Sequence, residues 1–124
     1  MTKPLAFVLY EAILPGSQIV NRLQDLGYRV QTVSDSQSLN ALASLEKPMV
    51  LLADLVSRSA DVCGAIKALK SNPVTAHIPV IGFVGPDRSE LQAAAAEAGA
   101  TLVAGSEEIL DQLPELLDQA LVVD

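Results

Sequence analysis

The stretch Pro48-Met49-Val50-Leu51-Leu52-Ala53-Asp54 decides the fold, because it joins an apolar run of strand length to a carboxylate. Apolar strands without alternation are typical of parallel sheets that helices cover on both faces. An Asp is costly to bury unless it is paired, hydrogen-bonded or metal-bound. Ligands of open α/β sheets bind beyond the carboxyl ends of the strands. Asp54 is therefore a candidate site residue, although the same position suits a residue that only opens the loop to the next helix.

Strand-like and helical segments alternate along the chain, with no linker, repeat or low-complexity segment between them. Apolar residues at helical spacing follow each predicted strand, and the strands are predicted over residues 5–10, 28–33, 48–54, 78–84 and 100–104. Gly27, Gly99 and Asn72-Pro73 should end helices. Pro15-Gly16 should delay the first helix, and Pro114 should kink the last helix or delay its start. The alternation predicts a single domain over residues 1–124 with right-handed βαβ units and a parallel sheet.

Composition limits the classes of function. The net charge is −7, and residues 105–124 hold six acidic residues and no basic one, so direct nucleic-acid binding is not expected. No apolar run is long enough to cross a bilayer, and no secretory signal is evident. The single cysteine, Cys63, excludes an internal disulfide and a multi-cysteine zinc site. We therefore expect a cytoplasmic protein that is not associated with membranes.

Four short motifs resemble the receiver domain of two-component response regulators when they are read in order. They are Leu26-Gly27-Tyr28 before the second strand, Pro48 through Asp54-Leu55, Ile78-Pro79-Val80-Ile81, and Ala98-Gly99-Ala100 before the fifth strand. Their order and spacing carry the likeness, which covers nearly the whole chain. The resemblance implies a flavodoxin-like α/β fold, with a five-stranded parallel sheet of order 2-1-3-4-5. It also implies that helices one and five lie on one face, and helices two, three and four on the other.

The resemblance also implies roles for particular residues in phosphorelay signalling. Asp54 matches the aspartate that accepts a phosphoryl group from a histidine kinase. Glu11 matches one of two acids that help to hold Mg²⁺, and Tyr10 stands where the other acid would be. The backbone carbonyl of Val56 falls on the remaining protein ligand of the metal, so the resemblance implies a weak or vestigial Mg²⁺ site at Glu11, Asp54 and Val56.

Two positions depart from the receiver pattern. Val84 stands where the family has Thr or Ser, and Ser106 lies in a region that lacks the family's Lys and the proline after it. A phosphoryl group adds nearly two negative charges, and without the Lys a positive charge is missing from the site. Loss of both groups should disconnect phosphorylation from a change of shape. The chain is therefore interpreted as a degenerate receiver, or pseudo-receiver, that acts on a histidine kinase, a phosphotransfer protein or a downstream signalling protein.

Several residues keep two interpretations. Asp54 is either a working phosphoacceptor or a remnant that caps a helix, and Glu11 is either half of a weak metal site or a loop acid. Arg58 either supplies the missing positive charge or is solvated. Cys63 is expected to pack beside the apolar stripe of the third helix. His77 is expected on the surface, at the amino end of the fourth strand.

A second class of function is a small flavodoxin-like enzyme or cofactor-binding protein, because a fold does not fix a function. The loop over residues 11–16 is not a Ser/Thr/Gly-rich phosphate cradle, no cysteine follows the first strand, and His77 is not in a cobalamin-binding motif. The chain is therefore expected not to be an enzyme.

Acidic residues in the last two helices bear on assembly. Many receivers dimerise through helix four, strand five and helix five, using ion pairs between the subunits. Here that region has an acidic excess, so two copies of it should repel each other. A monomer at low salt, or a dimer through another surface, is expected.

Overall fold

Strands and helices alternate through the fold. The computed structural model describes residues 4–9, 13–33, 36–55, 62–84, 89–105 and 108–120. Its elements are β1 (Leu5–Leu9), α1 (Ile13–Asp25), β2 (Arg29–Val33), α2 (Ser36–Glu46), β3 (Val50–Asp54), α3 (Val62–Ser71), β4 (Val80–Val84), α4 (Ser89–Ala98), β5 (Leu102–Gly105) and α5 (Ile109–Ala120). All neighbouring strands pair in parallel, in the order β2-β1-β3-β4-β5. The predicted fold class and strand order are confirmed.

The three central strands are buried on both sides. Every residue of β1, β3 and β4 is buried, whereas the edge strands β2 and β5 are partly exposed. This difference explains the sequence pattern, because a strand covered on both faces needs no polar alternation. β2 has the sequence Arg-Val-Gln-Thr-Val, and its mixture of polar and apolar residues fits a strand at the edge of the sheet that is partly exposed to solvent.

Two apolar clusters cover the sheet, one on each face. Phe7, Leu51 and Val80 face the cluster that includes Leu39 of α2, Ile66 of α3 and Ala95 of α4. Phe83 and Leu52 face the cluster formed with α1 and α5, whose buried residues are Ile19, Leu23, Ile109, Leu113, Leu117 and Ala120. The predicted placement of helices one and five opposite helices two, three and four is therefore confirmed.

Two glycines end helices in the same way. Gly27 has a φ of +95° and Gly99 a φ of +115°, which are backbone conformations that other residues adopt only with strain. After α1, the Gly27 N–H donates to the Gln24 carbonyl and the Tyr28 N–H donates to the Leu23 carbonyl, both at 3.0 Å. The Gly99 and Ala100 amides repeat this pattern at the end of α4. These bonds satisfy carbonyls that a helix end would otherwise leave unpaired.

The two predictions about helix starts that rested on proline were less successful. The first helix begins at Ile13, so Pro15 and Gly16 lie inside it and do not delay it. Pro15 is the third residue of the helix, where the backbone N–H has no intrahelical partner, so its absence costs no hydrogen bond. The last helix begins at Ile109 and contains Pro114, so its start is not delayed either, and the alternative of a kink at Pro114 stays a prediction. The Glu108 carbonyl accepts the first bonds of this helix, and its apolar face is buried despite the bond lost at Pro114.

Lys70 ties three elements together at the amino end of the sheet. Its Nζ donates to the carbonyls of Ile78 at 2.6 Å and Ala76 at 3.2 Å, in the turn between α3 and β4. Its side-chain stem passes so close to Gly99 that a Cβ there would lie 2.8 Å from the Lys70 Cγ. Burial lowers the pKa of the Lys70 ammonium. Gly99 is thus required both by its φ and by the space that Lys70 fills.

Substitution of the two helix-ending glycines separates these requirements. Gly27→Ala should lower the free energy of unfolding by about 1–2 kcal/mol through its φ alone, since nothing lies within 4 Å of a Cβ at that position. Gly99→Ala should cost roughly 1 kcal/mol more because it also displaces Lys70. Urea denaturation of both variants, alone and with Lys70→Ala, measures the difference. An excess cost at Gly99 that survives in the Lys70→Ala background would contradict this explanation.

Candidate functional site

Asp54 lies at the carboxyl end of the central strand. It is the last residue of β3, it pairs with Phe83 of β4, and only 8% of its surface is exposed. Among the residues that the structure describes, it is the one buried residue with a charged side chain. The next residue, Leu55, extends the pairing through an N–H bond of 3.0 Å to the Phe83 carbonyl. A carboxylate held in this position makes the carboxyl end of the sheet the candidate site.

The predicted switch position on β4 is part of the core. Val84 is 1% exposed and belongs to the cluster beneath α2, α3 and α4. Its partner across the strands is Gly105, the last residue of β5. An isopropyl group at Val84 offers no hydrogen bond, so this end of β4 contributes no side-chain donor to the edge. Ser106, the other predicted switch position, lies outside the described residues.

The side chain of Leu55, the residue after Asp54, packs over Gly82 of β4. A Cβ on Gly82 would lie 3.1 Å from both terminal carbons of the Leu55 side chain. Gly82 is opposite Ala53 in the sheet, so Leu55 packs down over the neighbouring strand. This contact anchors the residue that follows Asp54, and no signal in the sequence predicts it.

Glu108 brings a second carboxylate to the same end of the sheet. The Glu108 N–H donates to the Gly105 carbonyl at 3.2 Å, and the Glu108 carboxylate fills the space that a Cβ on Gly105 would need. A negative group therefore lies against the end of β5, close to where the resemblance leads one to expect a lysine. The only signal in the sequence was an acid three residues after a glycine that ends a strand.

Charges in the described part of the chain are divided between the two ends of the sheet. Asp54, Glu90 and Glu108 lie at or near the carboxyl end, with no described basic residue beside that edge. Lys47 and Lys70 lie at the amino end, about 10 Å or more from Asp54 along β3 and β4 at roughly 3.3 Å per residue. The Lys70 ammonium is bound to backbone carbonyls there and does not serve Asp54.

The remaining predicted ligands are not tested by this geometry. Glu11 and Val56 lie outside the described residues, as do Tyr10 and Arg58. Within the described ranges, no group of three His, Cys, Asp or Glu residues could hold a metal ion. Glu11, Asp54 and Val56 therefore stay a predicted ligand set for Mg²⁺.

Two other polar residues singled out in the sequence lie away from this edge. His77 is exposed in the turn before β4, as predicted. Cys63 is half-buried and packs against the core beneath α3, also as predicted. Together with Gly64 and Ala94, it lines a shallow groove of about 440 Å³ between α3 and α4.

Comparison with known proteins relates this chain to others through its fold. No protein-family model matches it, and no curated protein sequence matches it. Solved structures of receiver domains do match its fold. The receiver domain of NtrX from Brucella abortus superposes with a TM-score of 0.84 at 19% identity, covering 94% of this chain and 97% of that one.

Two further receiver structures agree. The receiver domain of a sensor histidine kinase from Pseudomonas aeruginosa, which has a magnesium ion in its active-site cleft, gives a TM-score of 0.86 at 16% identity and covers 98% of each chain. The chemotaxis protein CheY4 of Vibrio cholerae gives 0.85 at 19% identity and covers 97% of this chain and 100% of its own. The chain therefore has the flavodoxin-like fold of receiver domains over almost its whole length.

The packing of Leu55 over Gly82 can be tested by substitution. Gly82→Val should lower the free energy of unfolding by about 1–3 kcal/mol, because the added atoms need the space that Leu55 occupies. Leu55→Ala alone should also destabilise the protein, since it leaves a cavity. The double variant should cost less than the sum of the two, and a double-mutant cycle by urea denaturation measures the coupling. Additive costs would show that the two side chains do not compete for one space.

Proposed function

We propose that this chain is a receiver-like signalling domain in which Asp54 switches weakly or not at all. It would act through protein–protein interaction with a histidine kinase, a phosphotransfer protein or a downstream signalling protein. The observation that supports this proposal best is a buried Asp54 at the carboxyl end of a receiver fold, where the charged residues that the structure describes at the ends of the strands and the starts of the helices are acidic. The proposed role is that of a non-enzymatic cytoplasmic domain.

The electrostatics of the edge support the weak-switch part of the proposal. A phosphoryl group on Asp54 would add nearly two negative charges to a region whose described charged groups are already negative. The carboxylate of Glu108 lies over Gly105 of β5, and the backbone of β5 is two strand spacings from that of β3, about 10 Å at roughly 4.8 Å per strand. This repulsion disfavours the phosphorylated form, and Val84 offers no hydroxyl to bind a phosphoryl oxygen.

Mg²⁺ would offset part of that negative charge. The structurally similar receiver domain from Pseudomonas aeruginosa has magnesium in its active-site cleft. In this chain, Asp54 provides a carboxylate at the carboxyl end of the sheet. Carboxylate and carbonyl oxygens suit this ion, so Glu11, Asp54 and the Val56 carbonyl would hold it. Bound there, the ion would neutralise charge on a phosphoryl group. With one acid of the usual pair replaced by Tyr10, we propose that the affinity is low.

Phosphorylation can be measured directly. Incubation of the protein with Mg²⁺ and acetyl phosphate, followed by intact-mass spectrometry, should show slow and partial addition of one phosphoryl group or none. Asp54→Asn should abolish any such addition, and peptide mapping should place it on Asp54. Rapid stoichiometric phosphorylation of the wild type would contradict the weak-switch proposal.

Restoring the missing hydroxyl and lysine tests whether their absence causes the weak switching. Beryllofluoride with Mg²⁺ imitates a phosphorylated aspartate, and it should shift few amide resonances of the wild type beyond those next to Asp54. The double variant Val84→Thr, Ser106→Lys should show larger shifts that extend into β4 and β5. Large shifts throughout β4 and β5 in the wild type would mean that the switch is intact.

The charge of Glu108 can be examined separately. Removal of this negative charge should tighten beryllofluoride binding about twofold at saturating Mg²⁺ and low salt, because unit charges about 10 Å apart interact by about 0.4 kcal/mol in water. Glu108→Gln is the test variant, and Glu115→Gln, further along the same helix, is the control. The gain should shrink as salt is added. Equal effects of the two variants would exclude a local role for Glu108.

A further inference from the structure

The amino end of the sheet carries the large apolar side chains that are exposed. In the part of the chain that the structure describes, these are Leu26, Leu45, Met49 and Val74, with exposed fractions of 37%, 76%, 50% and 47%. Each lies near the end of a helix or in the segment that leads into the next strand, which is the end of the sheet opposite Asp54. A soluble domain that leaves several such residues together at one end is presenting an interaction surface.

The side chain of Asn72 links the two segments that carry Leu45 and Val74. The Asn72 amide Nδ2 donates to Ser44 Oγ at 3.3 Å, which links the end of α2 to the turn after α3. The Asn72 Oδ1 accepts the Val74 N–H at 3.0 Å. These bonds bring the end of α2 and the turn after α3 together, and Met49 follows α2 by three residues at the same end of the sheet. We call the exposed apolar residues of these segments the amino-end patch: Leu45, Met49, Pro73 and Val74.

The patch is rigid. The Thr75 hydroxyl is buried and donates to the Leu69 carbonyl at 2.7 Å, and Lys70 holds the carbonyls of Ala76 and Ile78. Met49 is fixed by an N–H bond of 2.7 Å to the Leu5 carbonyl. Polar groups of the turn between α3 and β4 are hydrogen-bonded within the protein, and apolar side chains of the turn are exposed. Binding a partner there would therefore cost little free energy for ordering this surface.

The charges around the patch suit a second copy of the same chain. The net charge of the chain is −7, so most pairings of its surface with itself bring like charges together. Toward the amino end the described acidic residues are not in excess, with Arg22, Arg29, Lys47, Lys67 and Lys70 against Asp25, Glu46, Glu97 and Asp118. Glu46 and Lys47 are consecutive, exposed and of opposite sign, beside the patch. A two-fold axis through the patch would set Glu46 of each copy near Lys47 of the other.

We propose that the amino-end patch is a self-association surface on which two copies of this chain pack Leu45, Met49 and Val74 about a two-fold axis. The surface lies at the end of the sheet away from Asp54, so this inference does not depend on the proposed signalling function. It also avoids the acidic faces of α4 and α5, where self-pairing is electrostatically unfavourable.

Sedimentation equilibrium of the full chain at low salt, over a range of protein concentrations, tests the inference. The wild type should dimerise reversibly, and Leu45→Ser should raise the dimer Kd at least about tenfold, equivalent to about 1.4 kcal/mol. Leu26→Ser is the matched control, because Leu26 is also exposed but lies outside the patch; it should leave the Kd nearly unchanged. At concentrations well below the wild-type Kd, where both proteins are monomeric, circular dichroism should show nearly unchanged melting of Leu45→Ser, since that side chain is mostly exposed.

A charge swap tests the two-fold arrangement. Glu46→Lys and Lys47→Glu should each weaken the dimer, because each places like charges across the axis, and the double variant should recover it. A wild type that stays monomeric at millimolar concentration would overturn the proposal, even if a different protein then bound the patch. A dimer that is insensitive to Leu45→Ser and to the swap, but is broken by substitutions on α5, would overturn it as well.

Discussion

The fold depends on covering both faces of β3. Every residue from Val50 to Asp54 is buried, and the strand lies between β1 and β4 with helices above and below. Burial of apolar surface contributes roughly 25 cal/mol per Å², so loss of the helical layer from either face would remove about half of this strand's contribution, because its side chains alternate between the two faces. The two helical layers follow from that requirement. So does the position of Asp54, because a chain that leaves a fully buried strand must bring its first polar group out at the sheet's edge.

Elements whose local sequence agrees with their burial could be predicted from the sequence. The unbroken apolar runs of β1, β3 and β4 and the glycines after α1 and α4 gave the right segments, since each pattern has one physical cause. Strand order was different. Hydrophobic periodicity does not distinguish 2-1-3-4-5 from other parallel orders, and the correct order came from the resemblance to receiver domains.

Boundaries were missed where a tertiary interaction overrides a local preference. Ile78 was expected in β4, but its N–H donates to the Thr75 carbonyl and its own carbonyl accepts from Lys70, so the strand starts at Val80. Pro15 and Pro114 were expected to limit their helices. Pro15 falls where no hydrogen bond is lost. At Pro114 one hydrogen bond is lost, but burial of the apolar face of α5 outweighs that cost.

The candidate site was predictable only as far as strand ends reveal it. Asp54 and Val84 could be located because each ends a buried strand. The carboxylate of Glu108 over Gly105 and the packing of Leu55 over Gly82 could not, because both depend on how a side chain folds back across a neighbouring residue. Glu11, Val56 and Ser106 lie outside the described residues, so their roles stay predictions. Among the residues that the structure describes, the charged side chains at this edge of the sheet, Asp54 and Glu108, are acidic.

The two ends of the sheet therefore differ: the described charges at the carboxyl end are acidic, whereas the amino end has no acidic excess and exposes apolar side chains. α3 starts near the Asp54 end and finishes in the turn that Thr75 and Lys70 lock at the amino end. If two copies associate through the amino-end patch, their Asp54 edges point away from each other, so the acidic ends are kept far apart and both stay open to partners. Because the turn is rigid and already bonded, association there requires no rearrangement of α3. A dimer of this kind would present both Asp54 edges to the solvent at once.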